Sequence, residues 1–465
     1  ALFLRYSYVP TPNSIYKGIF KLEPGATLEV TPKGVAARDH RIERYWRYEH
    51  VVAEGLARPI LDEPEALDRL TSALSEAVGL QLVADVPVGA FLSGGIDSSL
   101  IVALMQERSK RPVKTFTVGF DEASFDEAPH AREVARHLGA EHTELYVTPQ
   151  ETRAVIPDLP AMYDEPFGDS SQVPTSIISS VARREVTVAL SGDAGDELFG
   201  GYNRYTVGPK LSRQLSRIPP GLRGVMGRLA MDMPDIGWKA MAHAGGRAAA
   251  IAPFKDKAYK LRTQLLNLND TDGFYRSLVT EWSARDVPVL ALEQADTRQD
   301  DFAIASAVVE EPAQRMMLFD GVTYLPDDIL VKVDRAAMAV GLETRVPLLD
   351  HRVAEIAWRL PLSMKIRDGR GKWALRQILH RYVPSELVDR PKSGFAVPVG
   401  RWLRGPLRDW ADDLLSEHRL KEEGYLDVAA IQRLWRDHRS GKRDWTSRLW
   451  NVVMLQSWLA HQRKV

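Results

Sequence analysis

The sequence predicts an α/β fold: a parallel sheet with helices on both faces, followed by a mostly helical C-terminal part and preceded by a short β-rich segment. Three observations predict it. From about Val86, apolar runs of strand length alternate with stretches whose apolar residues recur at helical spacing. Two of those runs end directly in glycine-containing loops that open a helix. Finally, tryptophans at 402, 410, 435, 445, 450 and 458 read as the packing residues of C-terminal helices.

In chain order, the segment from Ala1 to about Trp46 carries turn signals at Pro10, Pro12, Gly18 and Pro24-Gly25 between short β-rich runs such as Ala26 to Val30. It reads as a few strands and loops, too few to form a core alone. Leu2 to Tyr8 reads as the end of an element already under way. A stretch rich in acids and prolines, about Ala53 to Pro64, reads as a linker. Leu67, Leu70, Leu74, Val78 and Leu82 then mark a helix. Val86 to Leu92 is a short apolar run suited to a buried strand, and Leu100, Ile101, Leu104 and Met105 share a helical face after it. Val113 to Phe120 is a second strand. Ala131, Val134, Ala135 and Leu138 form a further helix that Gly139 closes as the left-handed residue past its end. Glu144 to Val147 and Val186 to Leu190 supply more strands. Ligands of such sheets bind outside the carboxyl ends of the strands.

Bulk properties exclude several classes. The 465 residues are 45% hydrophobic and 26% charged, the balance of a soluble globular protein, and 61 basic against 62 acidic residues leave no field to draw the chain onto nucleic acid or an anionic membrane. The basic cluster from Arg436 to Arg443 reads as solvated surface. No apolar run approaches the roughly 18 residues of a membrane span, so a cytoplasmic location is expected. Cysteine is absent, which removes disulfides, thiolate metal sites and thiol nucleophiles. His130, His137 and His142 do not match zinc spacing and read as helix-surface residues.

The chemistry concentrates in Ser93-Gly94-Gly95-Ile96-Asp97-Ser98-Ser99, at the end of the first strand. Gly94 and Gly95 let the backbone approach a polyanion, the following helix points its first N–H groups toward it, and Ser93, Ser98 and Ser99 add hydroxyls. Asp97 would repel bare phosphate but serves if it holds Mg²⁺ bridging the phosphates. The alternative is a glycine turn whose Asp and Ser cap the helix. The Lys of a Walker-type loop is missing, which disfavours a kinase or GTPase.

Ser93 to Ser99 resembles the pyrophosphate-binding loop of the N-type ATP pyrophosphatases, which cleave ATP to AMP and pyrophosphate. A second stretch, Ser191-Gly192-Asp193-Ala194-Gly195-Asp196-Glu197 to Tyr202, is similar to the second signature of the glutamine-dependent asparagine synthetases, with Asp193 where that family usually has Glu. Asp164 to Thr175, with Asp169 and Ser170, resembles the family's loop near the nucleotide and amino-acid site. Asp327 to Asp350 resembles the helix and loop that carry a glutamate to the active site, here Glu343, and Arg390 to Phe395 the loop of the catalytic lysine, here Lys392.

The resemblance implies ATP and Mg²⁺ as cofactors, with Asp97 and Asp196 as the metal pair. Ser93, Gly94, Gly95, Ser98, Ser99, Ser191 and Gly192 would hold the phosphates, and Thr117 and Val118 the adenine. Asp193, Glu197, Asp169 and Ser170 would stand near the acceptor. Lys392 fits stabilisation of charge at the α-phosphate, with a surface turn as its alternative. Glu343 fits proton removal as ammonia attacks, with a plain ion pair to Arg335 or Arg345 as its alternative. It further implies aspartate, ATP and ammonia or glutamine as small-molecule partners, no nucleic acid and no membrane, and a homodimer as a possible assembly. Residues 1–50 resemble the tail of a class II glutamine amidotransferase domain, 51–65 a linker and 66–465 the synthetase domain. A chain lacking the glutaminase cysteine is expected not to hydrolyse glutamine. The ATP motifs leave the acceptor open: a sugar uronic acid or a β-lactam precursor would suit the same chemistry. A tRNA-modifying pyrophosphatase would call for a basic surface or sulfur-carrying cysteines. A non-catalytic nucleotide-binding module would be expected to have lost Asp97, Asp196, Glu343 or Lys392.

Overall fold

A computed structural model describes residues 1–32, 34, 39–120, 126–219, 221–223, 225, 271–284, 286–290, 298–390 and 397–464. The chain forms two compact units, one of Val9–Thr206 with Thr297–Val397, the other of Ala1–Tyr8, Val207–Asp296 and Pro398–Val465.

The first unit is the α/β one. In chain order, its elements used below are β1 (Ala26–Glu29), β2 (Arg41–Arg44), α1 (Tyr48–Ala57), α2 (Glu63–Gln81), β3 (Val88–Phe91), α3 (Ile96–Arg108), β4 (Lys114–Phe120), α4 (Ala128–Leu138), β5 (Glu141–Val147), α5 (Gln172–Arg183), β6 (Val188–Leu190), α6 (Gly195–Phe199), α7 (Leu330–Met338), β7 (Glu343–Arg345), α8 (His351–Arg359) and α9 (Trp373–Leu379). Strands β3 to β7 form one fully parallel sheet in the order β5-β4-β3-β6-β7, flanked by helices as expected. The chain runs outward from β3 to β5, then returns to the other side of β3, so the order reverses between β3 and β6. There the loops on the two strands diverge and leave a crevice.

Local chemistry accounts for most boundaries. Asp62 caps α2 by accepting from the Glu65 amide at 2.8 Å, and Leu70, Leu74 and Val78 are buried on its inner face. Gly139 ends α4 at φ +69°, the left-handed residue expected. The expected strands over 86–92, 113–120 and 186–190 are present but one to two residues shorter at one or both ends, and two strands differ more. β5 begins at Glu141 rather than Glu144, because its polar start pairs in register with β4, Lys114 opposite Glu141. β7 reads as helix and loop in the sequence, yet Glu343–Arg345 pairs with Val188–Leu190 at the sheet edge, where a polar strand is tolerated. His142 lies on β5, half-buried, with Nδ1 2.8 Å from Thr115 Oγ1, and so is not a helix-surface residue.

Of the stretch expected as a linker, the residues through Ala57 belong to helix α1, which packs on α8, and α2 begins at Glu63. Val52 is buried, Trp358 Nε1 donates to Tyr48 Oη at 2.7 Å, and a Cβ on Gly55 would stand 2.8 Å from the Trp358 backbone. The opening segment is divided between the units. From Val9 onward it belongs to the α/β unit, where Thr11 donates to Asp327, and Ile15 and Lys21 bond to Glu165. Within it β1 and β2 make an exposed antiparallel ribbon.

In the second unit, helix Leu2–Tyr6 buries Leu2, Phe3, Leu4 and Tyr6, and Asn451 donates to the Leu4 carbonyl at 3.3 Å. Helices Val428–Arg439 and Thr446–Gln462 bury Trp435, Trp450 and Trp458, as expected of packing tryptophans. Trp445 stays partly exposed, its ring covered by Arg443 and Arg448. Among the described residues no helix is long and apolar enough to cross a membrane.

Candidate active site

The crevice between β3 and β6 opens into a cavity of about 810 Å³, the size range of small-ligand sites. Ser93 to Ser98 follows β3, and Ser191 to Glu197 follows β6. The glycines set how the loops meet. Gly94 stands at φ +69°, and a Cβ there would lie 2.8 Å from the His130 carbonyl carbon, so α4 packs directly on the loop. A Cβ on Gly192 would lie 2.7 Å from the Ser98 amide nitrogen. The second loop thus lies against the first turn of α3, and the two form one floor.

The floor is pre-tied. Ser93 and Ser98 hydroxyls lie 3.0 Å apart, and the Ser93 amide donates to Ser98 Oγ at 3.2 Å. From above, Arg390 donates to the Ser93 carbonyl at 2.9 Å and lies 3.5 Å from Glu127. At the centre, Lys372 Nζ bonds to Asp97 and stands 2.8 Å from Asp196 Oδ1. Burial works against that ammonium, but the two carboxylates outweigh it and hold its pKa above the ordinary lysine value. Its backbone is left-handed, φ +61°, in the turn Gly369-Arg370-Gly371 before α9; a Cβ on Gly371 would strike the Gly200 carbonyl.

Other acids in the cavity are shifted. Burial pushes Asp193 up, against a hydrogen bond from Ser191. Burial first and Asp196 second push Glu197 up to about 7, while Tyr202 donates to it at 2.7 Å. Burial would raise Asp169 too, but the Lys332 ammonium 2.7 Å away and donors from Ser171 bring it down to about 2.

Of the residues expected from sequence, Ser93, Gly95, Asp97, Ser98, Thr117, Asp169, Ser170, Ser191, Gly192, Asp193, Asp196 and Glu197 line this cavity together. The others do not. Ser99 is fully buried one position past Ser98, because a helix turns each side chain by about 100° and carries it into the core. Val118 is buried within β4, and Gly94 serves the packing of α4. Glu343 lies at the amino end of β7, exposed and 2.6 Å from Arg345 Nε, outside the cavity. Its alternative, a plain ion pair, is therefore the arrangement present. Lys392 lies outside the described residues.

Sequence reasoning missed Lys372, Lys332 and Tyr202. The first had a signal, a lysine directly after a Gly-x-Gly turn; Lys332 had none beyond its place in the Asp327 to Asp350 stretch.

Among the described residues no group of three or more His, Asp or Glu forms a metal site. Asp97 and Asp196 nevertheless converge on one cationic centre, and one or two carboxylates completed by phosphate oxygens is the donor set Mg²⁺ takes. As a donor set, the pair suits that ion.

The family model for asparagine synthase matches residues 69–460. The chain is 35% identical over 460 residues to a Mycobacterium bovis protein provisionally named asparagine synthetase (glutamine-hydrolyzing), covering 97% of this chain and 66% of that one. It is 30% identical to asparagine synthetase (glutamine-hydrolyzing) 1 of Bacillus subtilis, with 98% of this chain and 67% of that one covered. A Gibberella zeae protein named amidase chry2 is 25% identical over 90% of this chain and 64% of its own length. The chain thus spans about two thirds of the length of these curated relatives. With both loop signatures in place and the family match running over residues 69–460, the chain belongs to the asparagine synthase family.

Proposed function

We propose that this chain forms an amide in two steps within the one cavity. The side-chain carboxylate of aspartate attacks the α-phosphorus of ATP, the bond to the β-phosphate oxygen breaks, and β-aspartyl-AMP and pyrophosphate result. Ammonia then attacks the acyl carbon, loses a proton and expels AMP, leaving asparagine. The observation that carries this reading is the joining of both glycine loops at the switch point, with Asp97, Asp196 and Lys372 at their junction. Ser93, Ser98 and the first amides of α3 are suited to pyrophosphate, and Lys372 to the charge that grows as it leaves. Mg²⁺, held by Asp97 and Asp196, would neutralise the polyphosphate. Lys392 is proposed to stabilise the α-phosphate, and Thr117 to face the adenine. Ammonia is the proposed nucleophile of the second step. A second reading, the same chemistry on another carboxylate, stays open because the ATP-side loops do not fix the acceptor.

The test measures pyrophosphate and AMP from ATP and Mg²⁺ with and without aspartate, giving ammonium or glutamine and following asparagine by mass spectrometry. Aspartate-dependent pyrophosphate and asparagine from ammonium are expected. A folded, ATP-binding chain that releases none with aspartate rules this reading out, and release with a different acid selects the second.

A further inference from the structure

A second charged cluster lines the cavity wall, apart from the Asp97, Asp196 and Lys372 junction. Lys332, on α7, lines the cavity with its Nζ 2.7 Å from Asp169 Oδ2, and the two side chains are only 10% and 20% exposed. Asp169 is fixed in turn by the Ser171 amide at 2.9 Å and hydroxyl at 2.7 Å. Asp328, just before α7, is buried; burial first and the charge of Asp169 second hold its carboxyl far above the usual range. Asp193 faces Lys332 from the loop after β6.

An ammonium has three donors, and among the described residues Lys332 makes one side-chain hydrogen bond, to Asp169. The other described cations lining the cavity are committed elsewhere. Lys372 joins Asp97 and Asp196, Arg376 and Arg370 reach Asp389, and Arg390 holds the Ser93 carbonyl. An acceptor that presents one carboxylate to the α-phosphorus needs a cation for any second carboxylate. Lys332 sits between two acids able to take an ammonium.

We infer that Lys332 is a specificity residue of the acceptor site: it binds the α-carboxylate of a dicarboxylic amino acid, with Asp169 positioning it and Asp193 facing the acceptor's ammonium. The inference rests on the adenylation reading above and deepens it by naming the residue that selects the acceptor. A uronic acid, which carries hydroxyls where the amino acid has its charged head group, would leave Lys332 desolvated without a ligand charge.

The test compares aspartate with 3-aminopropanoate, which is aspartate without its α-carboxylate, in pyrophosphate release and in calorimetric binding. The wild type is expected to favour aspartate by about 30-fold or more in kcat/KM, the worth of a charged hydrogen bond. K332Q is expected to bring the ratio to within about 3-fold by raising KM for aspartate and not for ATP, and K332R to restore part of it. Should K332Q fail to fold with Asp169 left unpaired, the double variant K332M/D169N removes both charges and is expected to lose the same discrimination. Undiminished discrimination in either variant overturns the inference and leaves adenylation standing. Conversely, calorimetric binding of aspartate that depends on Lys332, in a protein releasing no pyrophosphate, overturns adenylation and keeps the subsite. A wild type that binds no aspartate overturns the inference outright.

Discussion

Two buried lysines of the α/β unit meet opposite fates. Lys372 lies between two carboxylates and stays charged. Its loss would leave Asp97 and Asp196 buried side by side, so K372M is expected to lower stability by about 3 kcal/mol in urea denaturation. Added Mg²⁺ is expected to restore more stability in that variant than in the wild type, since a divalent cation suits the same two carboxylates; equal effects in both would place the metal elsewhere. Lys365 is fully buried with no hydrogen-bond partner for its Nζ among the described residues, only the face of Trp358 at 4.0 Å. Burial pushes its pKa from 10.5 down to about 7. The folded state therefore binds this proton less readily than the unfolded state. The penalty is in full force below about pH 7, declines as pH rises, and vanishes above about 10.5, where both states are neutral. K365M is expected to stabilise the protein by about 3 kcal/mol at pH 6, after allowing for the lost cation–π contact, and by much less at pH 10. A gain independent of pH would mean that Lys365 is not buried as a titrating group.

At the scale of elements, the site is made by the close approach of one loop to another. A Cβ at Gly195 would lie 2.4 Å from Asp97 Oδ1, whereas at Gly139 it would meet nothing within 4 Å. G195A is thus expected to lower ATP affinity by about tenfold or more, by displacing the carboxylate at the junction of α6 and α3. G139A meets only the left-handed backbone and is expected to cost about 1 kcal/mol of stability without changing ATP affinity. ATP titrations and melting curves of the two variants separate the effects; equal ATP affinities would show that the loops have room to part. β7 carries the same lesson for reading sequence. Glu343, Thr344 and Arg345 have no strand pattern of their own, and only their pairing with the buried β6 makes them one.

For the molecule as a whole, the cavity lies within one compact unit, so a ligand there ties α3, α6, α7 and α9 together. If ATP binds that cavity, the ligand at about 100 times its dissociation constant adds about 2.7 kcal/mol. Scanning fluorimetry with ATP and Mg²⁺ is expected to raise the midpoint by about 2–4 °C. No shift at saturation would show that the cavity does not take the nucleotide.

The sequence by itself determined the parallel α/β core, both glycine loops at the ends of β3 and β6, and most of the acids around them. These signals are local: strand-length apolar runs, a glycine where the backbone must turn left-handed, and a helix opening right after a strand. Tertiary structure alone decided the rest. It set Lys372 between Asp97 and Asp196 from 275 positions away in the sequence, gave Asp169 its partner Lys332, and left Glu343 at the far end of its strand with Arg345. The reason is physical. Spacing along a chain fixes which way a side chain points within its own element, but which charges meet, and hence which stay ionised, depends on the burial and packing of elements far apart in sequence.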